Sequence, residues 1–224
     1  MNLAARLISL LAFLAFHTAP GAQQVGRVEV KDLPDGWTQL VSYDMKGLSI
    51  DGGIGNIPMT GAAFSNKSLG MLLIVESTQS GYNKTVNWVS MKCPASRPHY
   101  FTNDYGANRN SRDTRCLVVN AKYADRKYLA TASPQTAAAV DKEGLQFDKG
   151  QLIRTWSGVK SGSYLKLFLF KTSAFELATT AGKEEGTGVD QALIAFGESL
   201  QKLVYDSTLS MSGNLSLKLF NTIK

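Results

Sequence analysis

Apolar residues in this chain recur mostly at the two-residue spacing of strands, in short runs punctuated by glycine, proline and asparagine. VGRVEV at 25–30 alternates as a half-buried strand does. Leu33-Pro34-Asp35-Gly36 carries turn chemistry, and WTQLVSY at 37–43 predicts the next strand. Residues 46–64 are glycine-rich, with Ile50, Ile57 and Phe64 spaced along them, and predict a hairpin connection. Their glycines do not make a dinucleotide loop, because Pro58 stands where a third glycine would have to open a helix. LGMLLIVEST at 69–78 is continuously apolar, the mark of a strand covered on both faces.

YNKTVNWVSMKC at 82–93 alternates less cleanly, offering Val86, Trp88 or Val89, and Met91 to the core, with a short helix as the alternative. Strand character returns at 114–123 through Val118 and Val119. LIRTWSG (152–158) and SYLKLFLFK (163–171) predict a hairpin, and the second of these strands, apolar on both faces from Leu167 to Phe170, should be central.

Helix signals appear twice. Ser133 as N-cap, Pro134 in the first helical position and Gly144 just past the end bound a short helix over 133–144. In 187–203, Val189, Ala192, Leu193, Phe196, Leu200 and Leu203 form an amphipathic stripe, with Thr187 and Asp190 as the start signal. The tail at 207–220 alternates around Gly213 and Asn214 and predicts a closing hairpin at a sheet edge. Together these elements predict an α+β fold: a single domain with a mainly antiparallel sheet of six to nine strands and two helices packed on one side. The alternative is a β sandwich or barrel with peripheral helices.

Composition separates the first 22 residues from the rest. Arg6, the apolar run Leu7 to Phe16 and the small residues Ala19, Gly21 and Ala22 have the three-part build of a signal peptide, and the run is shorter than the roughly 17 residues a membrane span needs. The expectation is therefore a signal peptide at 1–22 and one exported domain at 23–224, in a bacterial periplasm or outside the cell, with no transmembrane segment after cleavage. An apolar content of 44% excludes a disordered chain. In an exported chain two cysteines predict one disulfide, Cys93 with Cys116.

Charge adds a locus. The net charge is +6, and the stretch from Lys92 to Tyr128 holds eight basic residues against three acidic ones, an excess of +5. The disulfide closes CPASRPHYFTNDYGANRNSRDTRC, in which aromatic and basic residues interleave among asparagine and serine, the composition of a recognition surface. Candidate contact residues are Arg97, His99, Tyr100, Tyr105, Arg109, Arg112 and Arg115, gathered on an outward-facing loop, with the adjacent basic segment to 128. The partner they fit is an acidic protein, an anionic envelope polymer or a lipid headgroup; nucleic acid is disfavoured in that compartment.

Catalytic patterns are sparse. Outside the first 22 residues the single histidine is His99, no G-x-S-x-G turn is present, and no cluster of His, Asp and Glu has metal-ligand spacing. No metal or cofactor is expected. The leading expectation is a non-enzymatic binding module. One alternative is a small envelope hydrolase using paired carboxylates, Asp104 with Glu76 or Asp44. Another is an inhibitor of an envelope hydrolase that inserts the Ser161-Gly162-Ser163-Tyr164 turn into a cleft, and a third is a structural envelope component.

Overall fold

The apolar run at 69–78 becomes the middle of the molecule. In a computed structural model, residues 22–50, 54–86, 88, 91–106, 113–146, 150–173, 175, 177, 182–210 and 213–223 are described. The chain forms β1 (Gln23–Val25), β2 (Val28–Lys31), β3 (Trp37–Ile50), β4 (Ile54–Asn66), β5 (Met71–Thr78), β6 (Tyr100–Asp104), β7 (Thr114–Ala124), α1 (Arg126–Ala132), α2 (Pro134–Lys142), β8 (Gly150–Gly158), β9 (Tyr164–Lys171), α3 (Gln191–Leu209) and β10 (Asn214–Ser216), ending in a 3-10 turn at Lys218–Thr222. Seven strands make one antiparallel sheet in the order β3-β4-β5-β9-β8-β7-β6, and β1, β2 and β10 make a small second sheet. The result is the expected α+β class, mostly sheet.

Because successive strand residues point to opposite faces, each strand feeds two cores. Leu73, Val75, Leu117, Val119, Ile153, Leu165, Leu167 and Leu169 share one core with Leu193, Phe196, Leu200 and Val204 of α3 and with the small sheet. The alternate residues Leu72, Ile74, Leu152, Phe168 and Phe170 pack under Leu129, Ala137 and Val140 of α1 and α2. Further along that same face, Val86 and Trp88, which lie between β5 and β6 in the chain, cover Cys116, Val118, Trp156 and Tyr164. The expected helices thus form on opposite faces of the sheet, the α3 face and the α1–α2 face. Both faces of the central strands carry apolar residues, so each needs a cover, at about 1.5–3 kcal/mol per fully buried large side chain.

Four local readings are corrected. Asp190, not Thr187, caps α3, its carboxylate accepting from the Ala192 N–H at 2.7 Å. The helix runs on to Leu209, carried by Val204 and by Thr208, whose hydroxyl donates to the Val204 carbonyl at 2.6 Å; the start of the tail is therefore helical. In place of a hairpin, β10 pairs in parallel with β2 at the edge of the small sheet. Gly213 permits this at φ +58°, where a Cβ would lie 2.2 Å from the Arg27 carbonyl oxygen. Residues 82–86, 88 and 91–96 form no helix.

One helix went unforeseen. Asp125 accepts from the Tyr128 N–H at 2.7 Å and starts α1, a cap without the three- and four-residue apolar repeat that marks longer helices. It positions the residues described next.

Candidate functional site

Cys93 and Cys116 form a disulfide, their Cα atoms 5.6 Å apart. Cys116 lies in β7, whereas Cys93 belongs to the irregular segment laid over the α1–α2 face. The bonded pair is in keeping with an exported protein, and no helix among the described residues is long and apolar enough to cross a membrane.

The enclosed stretch is not simply an outward loop. Tyr100–Asp104 is edge strand β6, paired to β7 in the register Tyr100↔Asn120 to Asp104↔Cys116. Just before it, Arg97 and Tyr100 exchange backbone hydrogen bonds at 2.9 and 2.8 Å across Pro98 and His99. His99 sits at φ +62°, a left-handed conformation uncommon outside glycine. Its N–H donates to the Thr187 carbonyl at 2.7 Å and its carbonyl accepts from Ala121, so the turn is pinned at both ends.

Strand alternation then separates the candidate residues. Arg115 and Tyr105 face α3. The Arg115 guanidinium stands 4.0 Å from the centre of the Tyr205 ring and donates to the Tyr105 carbonyl at 3.4 Å, while the Tyr105 hydroxyl donates to Glu198 at 3.2 Å. Burial, and secondly the Glu198 charge, pushes the Tyr105 phenol up to about 12. These two residues are occupied in fastening the sheet edge to α3. Arg97 and Tyr100 lie on the α1–α2 face, with the guanidinium 4.8 Å over the tyrosine ring. Arg97 and Arg115 therefore share no surface. Arg109 and Arg112 lie outside the described residues.

What Arg97 and Tyr100 do share is a groove of about 460 Å³ with α1, lined also by Asn120, Lys127, Tyr128 and Thr131. Lys122 and His99 stand at the sheet edge beside it, the lysine ammonium 2.8 Å from His99 Nε2. None of the ion pairs among the described residues involves Arg97, Lys122 or Lys127. Asp125, the one carboxylate in the lining, is turned to the α1 backbone as its cap. Tyr128 stands between groove and interior: its oxygen accepts from Arg154 at 3.1 Å, and burial raises its phenol above the ordinary range, which keeps it protonated.

A polar row crosses the same face deeper in. In register across β8, β9, β5, β4 and β3 stand Trp156, Lys166, Glu76, Gly61 and Tyr43. Gly61 leaves room for the Tyr43 ring, which a Cβ there would approach to 2.4 Å. Glu76, 1% exposed, pairs with Lys166 at 3.2 Å and accepts from the Tyr43 hydroxyl at 3.3 Å. Tyr43 also contacts the Ser133 hydroxyl at 2.9 Å, tying α2 to the sheet. Burial, then the Glu76 charge, pushes Tyr43 up to about 12, and burial lowers Lys166. Sequence reasoning passed over Arg154, Lys166, Tyr43 and Tyr128. The available signal was a charge set among the apolar residues of a strand: Glu76 in β5, Arg154 in β8 and Lys166, ahead of the terminal Lys171, in β9.

The residues weighed for catalysis are not assembled. Asp104 and Glu76 lie on β6 and β5, four strand spacings apart, about 19 Å at ~4.8 Å each. Asp44 follows Tyr43 in β3 and so points to the other face, where it accepts from Thr60 at 2.9 Å. The Ser161–Tyr164 turn is no free tip. Tyr164 is 2% exposed and stacked on Trp88 at 5.1 Å, and a Cβ at Gly162 would lie 2.3 Å from the Lys84 carbonyl oxygen. Among the described residues no group of three or more His, Cys, Asp and Glu could hold a metal.

Fold and geometry together define an α+β protein with one large antiparallel sheet, a disulfide clasp near its β6 edge and a basic groove on one face. Compared with protein-family models, with curated proteins and with solved structures, the chain matches none.

Proposed function

We propose that the protein is an exported, non-enzymatic binding module that holds an acidic partner through the groove between the Arg97–Tyr100 turn, β7 and α1. This narrows the basic 93–128 region to the part of it that shares one surface. The observation that carries the reading is a pair of cations, Arg97 and Lys127, lining one concavity with no ion-pair partner among the described residues. Unpaired cations in a concave site attract an anion more strongly than the same charges dispersed over a convex surface, since the protein wall excludes part of the screening solvent. The disulfide supports this use by holding the 93–99 segment down on the sheet, so that Arg97 is presented without the entropy cost of ordering a free loop. The envelope or the extracellular medium supplies such partners: an anionic polymer, a lipid headgroup or the acidic face of another protein.

The test is binding of the protein lacking residues 1–22 to an immobilised anionic polymer and to vesicles containing an anionic lipid, at two salt concentrations. Binding should weaken about tenfold or more between 50 and 200 mM salt, as screening sets in. The double variant Arg97→Gln, Lys127→Gln should abolish it, while Arg115→Gln, on the opposite face, should leave it within about twofold. Retention of binding by the double variant overturns the assignment to this groove.

A further inference from the structure

The groove is richer in donors than in acceptors and carries more positive than negative charge, and that favours an anion as its occupant. Arg97 and Lys127 have no acceptor capacity in their side chains. The oxygen of Tyr128 is already taken by the Arg154 N–H, which turns the phenol's own proton away from Arg154. Tyr100, across the groove, has its hydroxyl in no hydrogen bond among the described residues. Two of the oxygen-bearing side chains already accept from the backbone, Asp125 through one carboxylate oxygen from the Tyr128 N–H at 2.7 Å and Asn120 from the Lys122 N–H at 3.2 Å. Thr131 gives its proton to the Lys127 carbonyl at 3.1 Å and so is not a donor to the groove. Four donor groups therefore approach one space from β6, from the turn before it and from α1.

Arg154 adds a second observation. It projects from a central strand without an ion-pair partner among the described residues, lies 5.0 Å over the Trp156 ring and leaves its Nε–H buried and unbonded; the Trp156 Nε1–H beside it is also buried and unbonded. The positive charge behind Tyr128 is thus not spent inside the fold. Arg97, Lys127 and Arg154 against Asp125 leave a local charge of +2. A phosphoryl group sets its free oxygens about a tetrahedral centre, three in a monoester of charge about −1.5 to −2 and two in each internal unit of a polyphosphate, whereas a carboxylate carries −1 and presents two in one plane.

We propose that the groove selects a phosphate-type oxyanion, with Tyr128 as the specificity-determining donor and Arg154 as the residue that positions it. This rests on the groove being the contact surface and goes beyond it by naming the group bound. Arg154 acts through Tyr128: it occupies the phenol oxygen, so that the hydroxyl donates to the ligand, and it adds its charge from behind.

The experiment measures binding of two polymers of matched length and charge, polyphosphate and polyglutamate, to the protein lacking residues 1–22, and needs no variant. Polyphosphate should bind at least about tenfold more tightly, the ratio expected when a hydrogen bond to a charged group is made with one ligand and not the other. Inorganic phosphate should displace it. Tyr128→Phe, which keeps the ring packed near Phe170, should bring the ratio close to one without abolishing polyglutamate binding, and Arg154→Met should do the same in part. Phosphatidic-acid vesicles identify the source of the group: binding that inorganic phosphate displaces marks a lipid headgroup, and polyphosphate binding without vesicle binding marks a soluble or polymeric phosphate. Equal affinity for both polymers, still lost in Arg97→Gln, Lys127→Gln, overturns the phosphate selection and leaves the basic groove standing. Binding of neither polymer overturns both.

Discussion

The two faces of the large sheet solve the same burial problem differently. On the α3 face, a single amphipathic helix of 19 residues and a small sheet cover the central strands, and the large side chains that meet there are apolar. On the α1–α2 face the cover comes in two unconnected pieces, a pair of short helices at one end and the 82–97 segment at the other. Between them runs the row of Trp156, Lys166, Glu76 and Tyr43, with Arg154 and Tyr128 beside it. A divided cover leaves a seam of polar groups that satisfy one another in part: Glu76 holds Lys166 and the Tyr43 hydroxyl, and Tyr128 accepts from Arg154, while the Arg154 Nε–H and the Trp156 Nε1–H stay unbonded. The lesson is that the divided face admits charged groups from the central strands, where Glu76 and Lys166 pair and Arg154 reaches the Tyr128 oxygen.

That contrast is open to attack in order of expected effect. Replacing Glu76 by Ala strands the Lys166 ammonium, while the Tyr43 hydroxyl keeps its contact with Ser133. Urea unfolding should show a loss of about 3–5 kcal/mol, the cost of leaving a buried charge unpaired. On the α3 face, Leu167→Ala should cost about 2–5 kcal/mol by opening a cavity. The two differ in rescue: Glu76→Met with Lys166→Met should recover most of the loss, since the pair's desolvation disappears with it. A double variant no more stable than Glu76→Ala would break the account of the seam.

Reduction of the disulfide comes next. In the chain-entropy account, freeing a loop of 23-residue separation costs about 3 kcal/mol. The loss should fall unevenly, with hydrogen exchange accelerating first in 82–99 and β6 while α3 and β9 stay protected. Uniform acceleration across both faces would count against the divided cover.

The smallest effect is alkaline. Tyr43 is raised in the folded state from 10.0 to about 12, mainly by burial, so its neutral form is favoured there. Its contribution is present in full below pH 10 and is lost as pH rises through 12, amounting to at most about 2.7 kcal/mol at ~1.36 kcal/mol per pH unit. Denaturant midpoints for Tyr43→Phe should decline less than those of the parent across that window. Tyr105, raised similarly but more exposed, should matter less when changed to Phe.

Much of the architecture could be read locally. The continuous apolar runs in β5 and β9 announced central strands, and Pro134 marked the start of α2. The end of α3 and the fate of the tail were misread because LSMSGNLSL alternates well enough for a strand. Packing of Val204 and the buried hydroxyls of Ser207 and Thr208 extended the helix, a tertiary decision over a local one. The proposed contact surface was legible only as a neighbourhood in sequence. Arg97 and Arg115 looked equivalent in composition, yet one meets a groove and the other an aromatic bracket under α3. Tyr128 and Lys127, which complete the groove, came in only as the end of a basic stretch, because the helix that carries them is seven residues long.

By itself the sequence determined the strand content, the central position of β5 and β9, the existence of α2 and α3, the pairing of its two cysteines and the location of its excess charge. Those properties depend on residue type, spacing and count, which are written along the chain. The tertiary structure alone decided which basic residues meet. Neighbours in a strand point to opposite faces, and the order of strands in a sheet follows from long-range packing. Arg97 and Arg115, close in sequence, are therefore divided between two surfaces, and Arg97 is joined by a lysine and a tyrosine from beyond the loop.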